Sequence, residues 1–420
     1  MQRLTRRLYL GLLFALACAA QNASPPRAFT WQEIQARFRS TNPALLAGKV
    51  SIDESRADEI TANLRPNPNM TLGWDQLTPF STSPYRPLWQ SYVFWNIDYL
   101  HERGHKRELR LASAQQATAV AVSAQSDLER TLMFNLRDAF VRVLLAKAIV
   151  GVAQENLGYY DKVISVSRSR YEAGGIAKVD FQRIELQRVQ FESDLATARV
   201  DLRTAKIDLL ALLRDHTPVD EFDISGRFDF EQPVLTAPEL RQEALQSRPD
   251  LREAQQALEK ARTDHRLAIA NGSTDPTFAV DASHQPPPLN TYVGVSVSIP
   301  LRIFDRNQGE KARTLLDINR STHLRDEAEV SALHDVDAAY ASLESTIELL
   351  RPYREKYLKE ADDIRSTVSF AYQHGAASLL DFLDAQKSYR DTQLSYLNLV
   401  GAYMSAANQL NFAVGREVIQ

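Results

Sequence analysis

Apolar positions recur along this chain with two periods, and each period occurs twice. The shorter period is two. Met70, Leu72 and Trp74 alternate with Thr71, Gly73 and Asp75, and Val93, Trp95, Ile97 and Tyr99 alternate with Phe94, Asn96 and Asp98. Later, Phe278, Val280 and Ala282 alternate with Ala279, Asp281 and Ser283, and Val293, Val295, Val297 and Ile299 with Gly294, Ser296 and Ser298. Such alternation predicts four strands with one apolar face, joined in pairs by the Pro-, Ser- and Asn-rich loops Pro79 to Pro87 and Gln285 to Asn290. The longer period averages three and a half. Phe181, Ile184, Phe191, Leu195, Ala198, Leu202, Ala205, Leu209 and Leu212 form one heptad seam, with Arg188 its one polar member. Phe382, Ala385, Tyr389, Thr392, Tyr396, Leu399, Tyr403, Ala406, Leu410 and Ala413 form another. Seams of that period specify coiled-coil packing, although a plain helical bundle also fits them.

Proline is absent between Pro87 and Pro218, between Pro300 and Pro352, and after Pro352, so very long helices are permitted. Residues 105–170 would reach about 100 Å as one helix at ~1.5 Å per residue. Gly151 and Pro352 sit at equivalent positions and both disfavour a straight run.

The chain is a duplicated unit. Tyr171, Gly174, Asp180 and Phe181 match Tyr372, Gly375, Asp381 and Phe382 at one constant offset of 201 residues. Asn42-Pro43-Ala44-Leu45 echoes Arg248-Pro249-Asp250-Leu251, and Gly104-His105-Lys106 echoes Gly309-Glu310-Lys311. Each half is predicted as helix, hairpin, long helix, turn, long helix. The expected boundaries are 30–215 for the first repeat, 216–237 for a linker rich in Pro, Asp and Phe, and 238–420 for the second repeat.

Composition changes the picture at the N-terminus. Arg3, Arg6 and Arg7 precede an apolar run from Leu8 to Ala17, which predicts a secretory signal peptide over 1–17, followed by an N-terminal segment over 18–29. Removing those three arginines takes the formal charge from −4 to −7, and no nucleic-acid partner is expected. The single cysteine, Cys18, closes Ala15-Leu16-Ala17-Cys18. That stretch resembles a lipoprotein processing box, which would lipidate Cys18; ordinary cleavage after Ala19 or Ala20 would discard it. No later segment reads as a membrane-spanning helix, so any crossing uses strands. The strands equally suit a small soluble sheet with one buried face. In lipid, however, four strands cannot enclose a pore or leave edges open, so insertion demands a barrel shared among subunits.

The order and duplication of these motifs resemble the TolC-type outer-membrane efflux family over nearly the whole mature chain. The matching residues are the two x-Pro-x-Leu stretches, Ser298-Ile299-Pro300-Leu301 with Phe304-Asp305, the two Tyr-x-x-Gly turns, and Asp381-Phe382-Leu383-Asp384-Ala385. Gly104-His105-Lys106-Arg107 resembles the Gly-Gly-Lys-Arg of the heavy-metal branch, with His105 in place of the second glycine. The resemblance implies a mainly α chain with a small transmembrane β part: a homotrimer with a 12-stranded β-barrel in outer-membrane lipid, standing on a periplasmic α-barrel. It implies a channel of a tripartite pump, working with a periplasmic adaptor and an inner-membrane efflux transporter, and no cofactor. Carried over residue by residue, it makes Gly174, Gly175, Gly375 and Ala376 the adaptor-contacting tips and Asp180 and Tyr372 the gate region. Asp381 and Asp384 become carboxylate rings at the pore entrance. Ser378-Leu379-Leu380-Asp381 also reads as a capping box, which would give Asp381 to its helix instead. Some relatives lock the entrance with an arginine two residues after the tip glycine; this chain has Ala377 there.

Two other readings compete. One is a soluble periplasmic coiled-coil adaptor or structural protein. The other comes from His101-Glu102-Arg103-Gly104-His105, which matches the HExxH pattern of zinc metalloproteases. That chemistry needs both histidines on one face of a stable helix, and Gly104 falls inside the motif. The expectation is therefore no enzyme and no metal site.

Overall fold

A computed structural model describes residues 28–77, 79–80, 83–88, 91–285 and 290–419. The expected signal peptide and Cys18 lie outside the described residues. The described chain begins with a two-residue strand β1 (Ala28–Phe29), then helices α1 (Trp31–Thr41) and α2 (Pro43–Asn63). Thr30 opens α1 with a capping box to Glu33, and Asn42 caps α2 by accepting from the N–H groups of Ala44 and Leu45. The single leading helix expected in each repeat is thus two helices. Proline suits the first helical position but cannot continue a helix, so Pro43 starts a second one. Strands β2 (Asn69–Asp75) and β3 (Tyr92–Leu100) follow, then the long helices α3 (Lys106–Glu172) and α4 (Lys178–Leu213).

A 3₁₀ turn (Val219–Glu221) and strand β4 (Asp223–Ile224) lead into the second repeat. Its helices α5 (Ala237–Ser247) and α6 (Pro249–Asn271) break at Pro249 as the first pair breaks at Pro43. Strands β5 (Thr277–His284) and β6 (Thr291–Ser298) precede α7 (Gln308–Pro352), α8 (Leu358–Gln373) and α9 (Leu379–Val414). The two positions expected to disturb the long helices behave differently. Helix α3 runs unbroken through Gly151 over 67 residues. Helix α7 stops at Pro352, and a π-helical turn over Tyr353–Tyr357 follows. Glycine only lowers helix propensity, whereas proline removes an N–H and crowds the preceding turn.

The four longer strands form one antiparallel sheet in the order β2-β3-β5-β6. Its register makes the predicted apolar face continuous. Leu72 faces Trp95, which faces Ala282, which faces Val293; Met70, Ile97, Val280 and Val295 form the adjoining row. Apart from Ala282 these side chains are exposed, from 36% at Trp95 to 83% at Val295. β2 and β6 are open edges, and Ile299 falls just beyond the end of β6.

Below the sheet, α3 packs along α2, α4 and α6, and α9 packs against α3, α7 and α8. Two hydrophobic cores lie midway down the bundle. One gathers Phe38, Leu136, Phe140, Leu209 and Leu213 around Phe222 and Ile224; the other gathers Leu343, Leu350, Tyr403 and Leu410 around Phe230. The first seam is buried at Phe181, Ile184, Phe191, Leu195, Ala198 and Leu209. At its end Leu212 is exposed, while Leu210 and Leu213 are buried in one core with Phe222 and Ile224. The second seam is buried at its two ends, and Tyr389, Thr392, Tyr396 and Leu399 between them are half-buried.

Candidate functional site

The residues singled out by the repeat converge at the end of the bundle opposite the sheet, on two helix hairpins. Both turns close with the same pair of backbone bonds. The Gly174 N–H donates to the Tyr171 carbonyl (2.9 Å) and the Gly175 N–H to the Arg170 carbonyl (2.7 Å). The Gly375 N–H donates to the Tyr372 carbonyl (3.1 Å) and the Ala376 N–H to the Ala371 carbonyl (2.8 Å). This is the Schellman pattern, and it requires a left-handed residue. Gly174 has φ +74° and Gly375 φ +77°, both in open space. Gly175 needs no positive φ, but a methyl group there would sit 3.3 Å from the Arg170 carbonyl oxygen. All four tip residues are exposed.

The repeated tyrosines brace the turns. The Tyr171 ring stacks on Phe181 at 5.4 Å and the Tyr372 ring stacks on Phe382 at 4.9 Å. Tyr372 and Phe382 belong to a core with Tyr160, Ile164, Ile184 and Phe191, so the two hairpins share one apolar contact. Ala377, which stands where some relatives carry arginine, packs against that same core. Burial raises the Tyr372 phenol above its ordinary value; Arg170 and Ser167 oppose the rise and Asp180 adds to it. Asp180 is half-buried in the first turn of α4. Burial also pushes the Tyr160 phenol far up, and its hydroxyl has no hydrogen-bond partner.

Asp381 closes a capping box. Its carboxylate accepts from the Ser378 hydroxyl (2.7 Å) and N–H (3.1 Å), while the Asp381 N–H donates to the Ser378 Oγ (3.2 Å). Those bonds hold its carboxyl below the usual value. Asp384 is exposed one turn further along α9. Sequence reasoning missed Arg170, whose Nη1 donates to the Tyr372 carbonyl at 2.8 Å. The available signal was a charged residue beside Tyr171 where the second repeat has Ala371 beside Tyr372.

The histidine motif does not form a zinc-protease site. His101 follows the end of β3 and donates its N–H to the Pro276 carbonyl (2.9 Å). His105 is the N-cap of α3, with φ +57°. The two rings therefore share no helical face, and Glu102 pairs with Arg110. Among the described residues no group of three or more His, Cys, Asp or Glu could hold a metal ion.

A duplicated bundle of this length carrying a four-stranded sheet is a recurring architecture. The family model described as "Outer membrane efflux protein" matches residues 240–416. The second half of this chain is similar to that family. That match runs from within α5 to just past the end of α9. The cobalt-zinc-cadmium resistance protein CzcC of Cupriavidus metallidurans is 25% identical over 391 residues, which span 90% of this chain and 87% of that protein. Among solved structures, that of CusC superposes with a TM-score of 0.73 at 18% identity, over 95% of this chain and 96% of that one. The outer membrane protein VceC of Vibrio cholerae superposes with a TM-score of 0.72 at 17% identity, over 92% and 96%. Among the described residues no helix is long and apolar enough to cross a membrane.

Proposed function

We propose that this chain is a member of the outer membrane efflux protein family and the outer-membrane channel of a tripartite pump, a passive export duct set in the Gram-negative outer membrane and reaching into the periplasm. The observation that carries the reading is the sheet. It presents a continuous exposed apolar face and leaves both edges, β2 and β6, unpaired at one end of the long bundle. Unpaired strand edges are costly in hydrocarbon, so three copies pairing β6 to β2 would close a 12-stranded barrel. A soluble adaptor has no use for a sheet face of Leu72, Trp95, Val280 and Val295 turned to solvent. Detergent-solubilised protein is expected near three times the chain's 47.4 kDa, slightly less after processing. A detergent-stable monomer with protected strands would sink the shared barrel.

The pore end would carry the remaining roles. Gly174, Gly175, Gly375 and Ala376 would meet the periplasmic adaptor, which joins the channel to an inner-membrane transporter. Asp384, with Asp381 beside it, would ring the entrance. Asp381 is already engaged by its own helix cap, so Asp384 is the freer carboxylate. Metal cations are the proposed cargo. A relative covering most of the chain is named for cobalt-zinc-cadmium resistance. The polar face of the sheet also carries Asp75, Asp98 and Asp281 and no Lys or Arg among its described strand residues. A lumen lined by that face would favour cations. Deleting the protein should raise sensitivity to cobalt, zinc or cadmium salts; sensitivity only to organic compounds would reassign the cargo.

A further inference from the structure

We propose that Arg170 is an intra-protomer latch that ties the two helix hairpins together at the pore end. Arg170 lies in the last turn of α3 and takes part in both turns at once. Its backbone carbonyl accepts the Gly175 N–H and so closes the first turn (2.7 Å). Its guanidinium donates to the Tyr372 carbonyl (2.8 Å), the same oxygen that accepts the Gly375 N–H and closes the second turn. The guanidinium carbon also stands 5.4 Å from the centre of the Tyr372 ring. A cation there meets exposed carbonyl dipoles at the C-terminal end of α8, where positive charge is favoured. A hydrogen bond with an ionised donor is stronger than a neutral one. The acceptor is well fixed, because Tyr372 is buried and stacked on Phe382.

The position gives this contact its leverage. Among the described residues, the other hydrogen bonds and ion pairs between the hairpins that lie nearest the turns are Tyr159 Oη to Ser369 Oγ (2.9 Å), Asn156 Nδ2 to Gln393 Oε1 (3.3 Å) and Arg390 to Asp194 (3.1 Å), with Ser405–Asp138, Asn408–Phe134 and Arg130–Phe412 further toward the sheet. Tyr159 precedes Arg170 by eleven residues on α3. A helical rise of ~1.5 Å per residue puts it about 16 Å further from the turns. If the hairpin ends part, the Arg170 bond breaks first while those contacts act as the hinge. The link runs one way only, since Ala371 occupies the equivalent position of the second repeat and offers no donor.

The inference rests on the channel reading only for its functional consequence, so the test has two arms. In full-length protein with Cys18→Ser, spin labels at Glu172→Cys and Gln373→Cys report the separation of the hairpin ends. Arg170→Ala should lengthen and broaden that distance and raise channel open probability in planar bilayers about tenfold. Arg170→Lys, which keeps the charge and one donor, should restore part of both. Should Arg170→Ala fail to assemble, Arg170→Gln is read the same way. An unchanged distance distribution in an assembled variant overturns the latch, whatever the currents show. Absence of currents in the parent would count against the channel reading instead, and the distance measurement would still decide the latch.

Discussion

The first repeat holds its helix junctions with neutral caps, and the second holds the equivalent junctions with charge. Asn42 caps α2 through its own side chain. Its counterpart Arg248 makes no side-chain cap; its buried guanidinium reaches Asp250, Asp335 and the Ala413 carbonyl at the end of α9. Arg130 from the first repeat joins it, donating to the Phe412 carbonyl at 2.6 Å. At the far end the asymmetry continues. The second turn has a Ser378–Asp381 capping box, whereas Ala177 starts α4 with no side-chain cap and the first turn contributes Arg170 instead. Duplication therefore fixed the backbone plan, while the side chains that join one repeat to the other came to differ.

The largest effect should come from the one feature the repeats share without compromise, the apolar sheet face. Val295→Arg and Leu72→Arg each place a cation on it, at a cost of about 2–4 kcal/mol near a bilayer midplane. In the proposed barrel of three copies the cost is tripled, so membrane insertion should fail in both, as read by the fraction extracted without detergent. Normal insertion of either variant would mean that face does not meet lipid.

The cap comparison comes next. Asn42→Ala should cost about 1 kcal/mol, the usual value for a lost N-cap. Arg248→Met should cost about 3–5 kcal/mol, because it leaves partly buried carboxylates without their cation. Urea titration of the helical signal measures both. Acid sharpens the contrast. Burial raises the Asp250 carboxyl, but Arg248 and Arg130 more than offset it, so its folded value lies below the ordinary one. Such a group contributes stability above its unfolded value of about 3.9 and loses it as pH falls through the lower folded value. In Arg248→Met that contribution is gone and burial dominates, which penalises the charged form. The gap between parent and variant should be widest above about pH 4 and narrow in acid; a gap that widens in acid would contradict the pairing.

The two turns should respond alike to one change and differently to another. Gly174→Ala and Gly375→Ala each force a methyl-bearing residue into the left-handed region, at about 1 kcal/mol apiece. Gly175→Ala crowds the Arg170 carbonyl, whereas its counterpart Ala376 already carries that methyl group. Thermal melting of the assembled protein should therefore show Gly175→Ala below the parent and Ala376→Gly near it.

Much of this layout is legible in the sequence because the signals are periodic and doubled. Alternation places all four strands, and the register brings the alternating apolar residues opposite one another. The 201-residue offset aligns both turns, and each turn's glycine has the positive φ that its closing bonds require. What escapes is local or three-dimensional. The β1–β4 pair spans only two residues in each strand, too short for any period to register. The helix breaks at Pro43 and Pro249 carry no polar interval, only a proline inside an otherwise helical run. The roles of Arg170 and Arg248 leave no local signal, because each donates to a backbone carbonyl that lies 202 or 165 residues away, and Arg248 also to Asp335, 87 residues away. Asp381 is legible in two roles, and its bonds to Ser378 supply the helix-cap role.

The smallest expected effect concerns Cys18, which lies outside the described residues. The chain is tied down at β1, where Ala28 pairs with Asp223 and Phe29 with Ile224. Asp223 in turn accepts from Lys147 at 2.6 Å, which sets the level of β1 along α3. Lys147 lies forty-one residues below Lys106, the sheet-side end of that helix. At ~1.5 Å per residue the separation is about 60 Å. Cys18 precedes Ala28 by ten residues. Ten residues span at most about 36 Å when fully extended. A polar headgroup layer of roughly 6 Å narrows the difference without closing it. A lipid on Cys18 could enter the bilayer around the barrel only if the β1–β4 pair opened and Phe29 left its stack on Phe222. The proposed barrel, by contrast, needs no such rearrangement. Cys18→Ser should therefore leave membrane retention, trimer yield and export unchanged, and mass spectrometry should place the mature terminus at Ala20 or Gln21. A fatty-acylated Cys18 in the assembled channel would show that the N-terminal strand detaches, and amide exchange at Phe29 and Ser225 would then be fast.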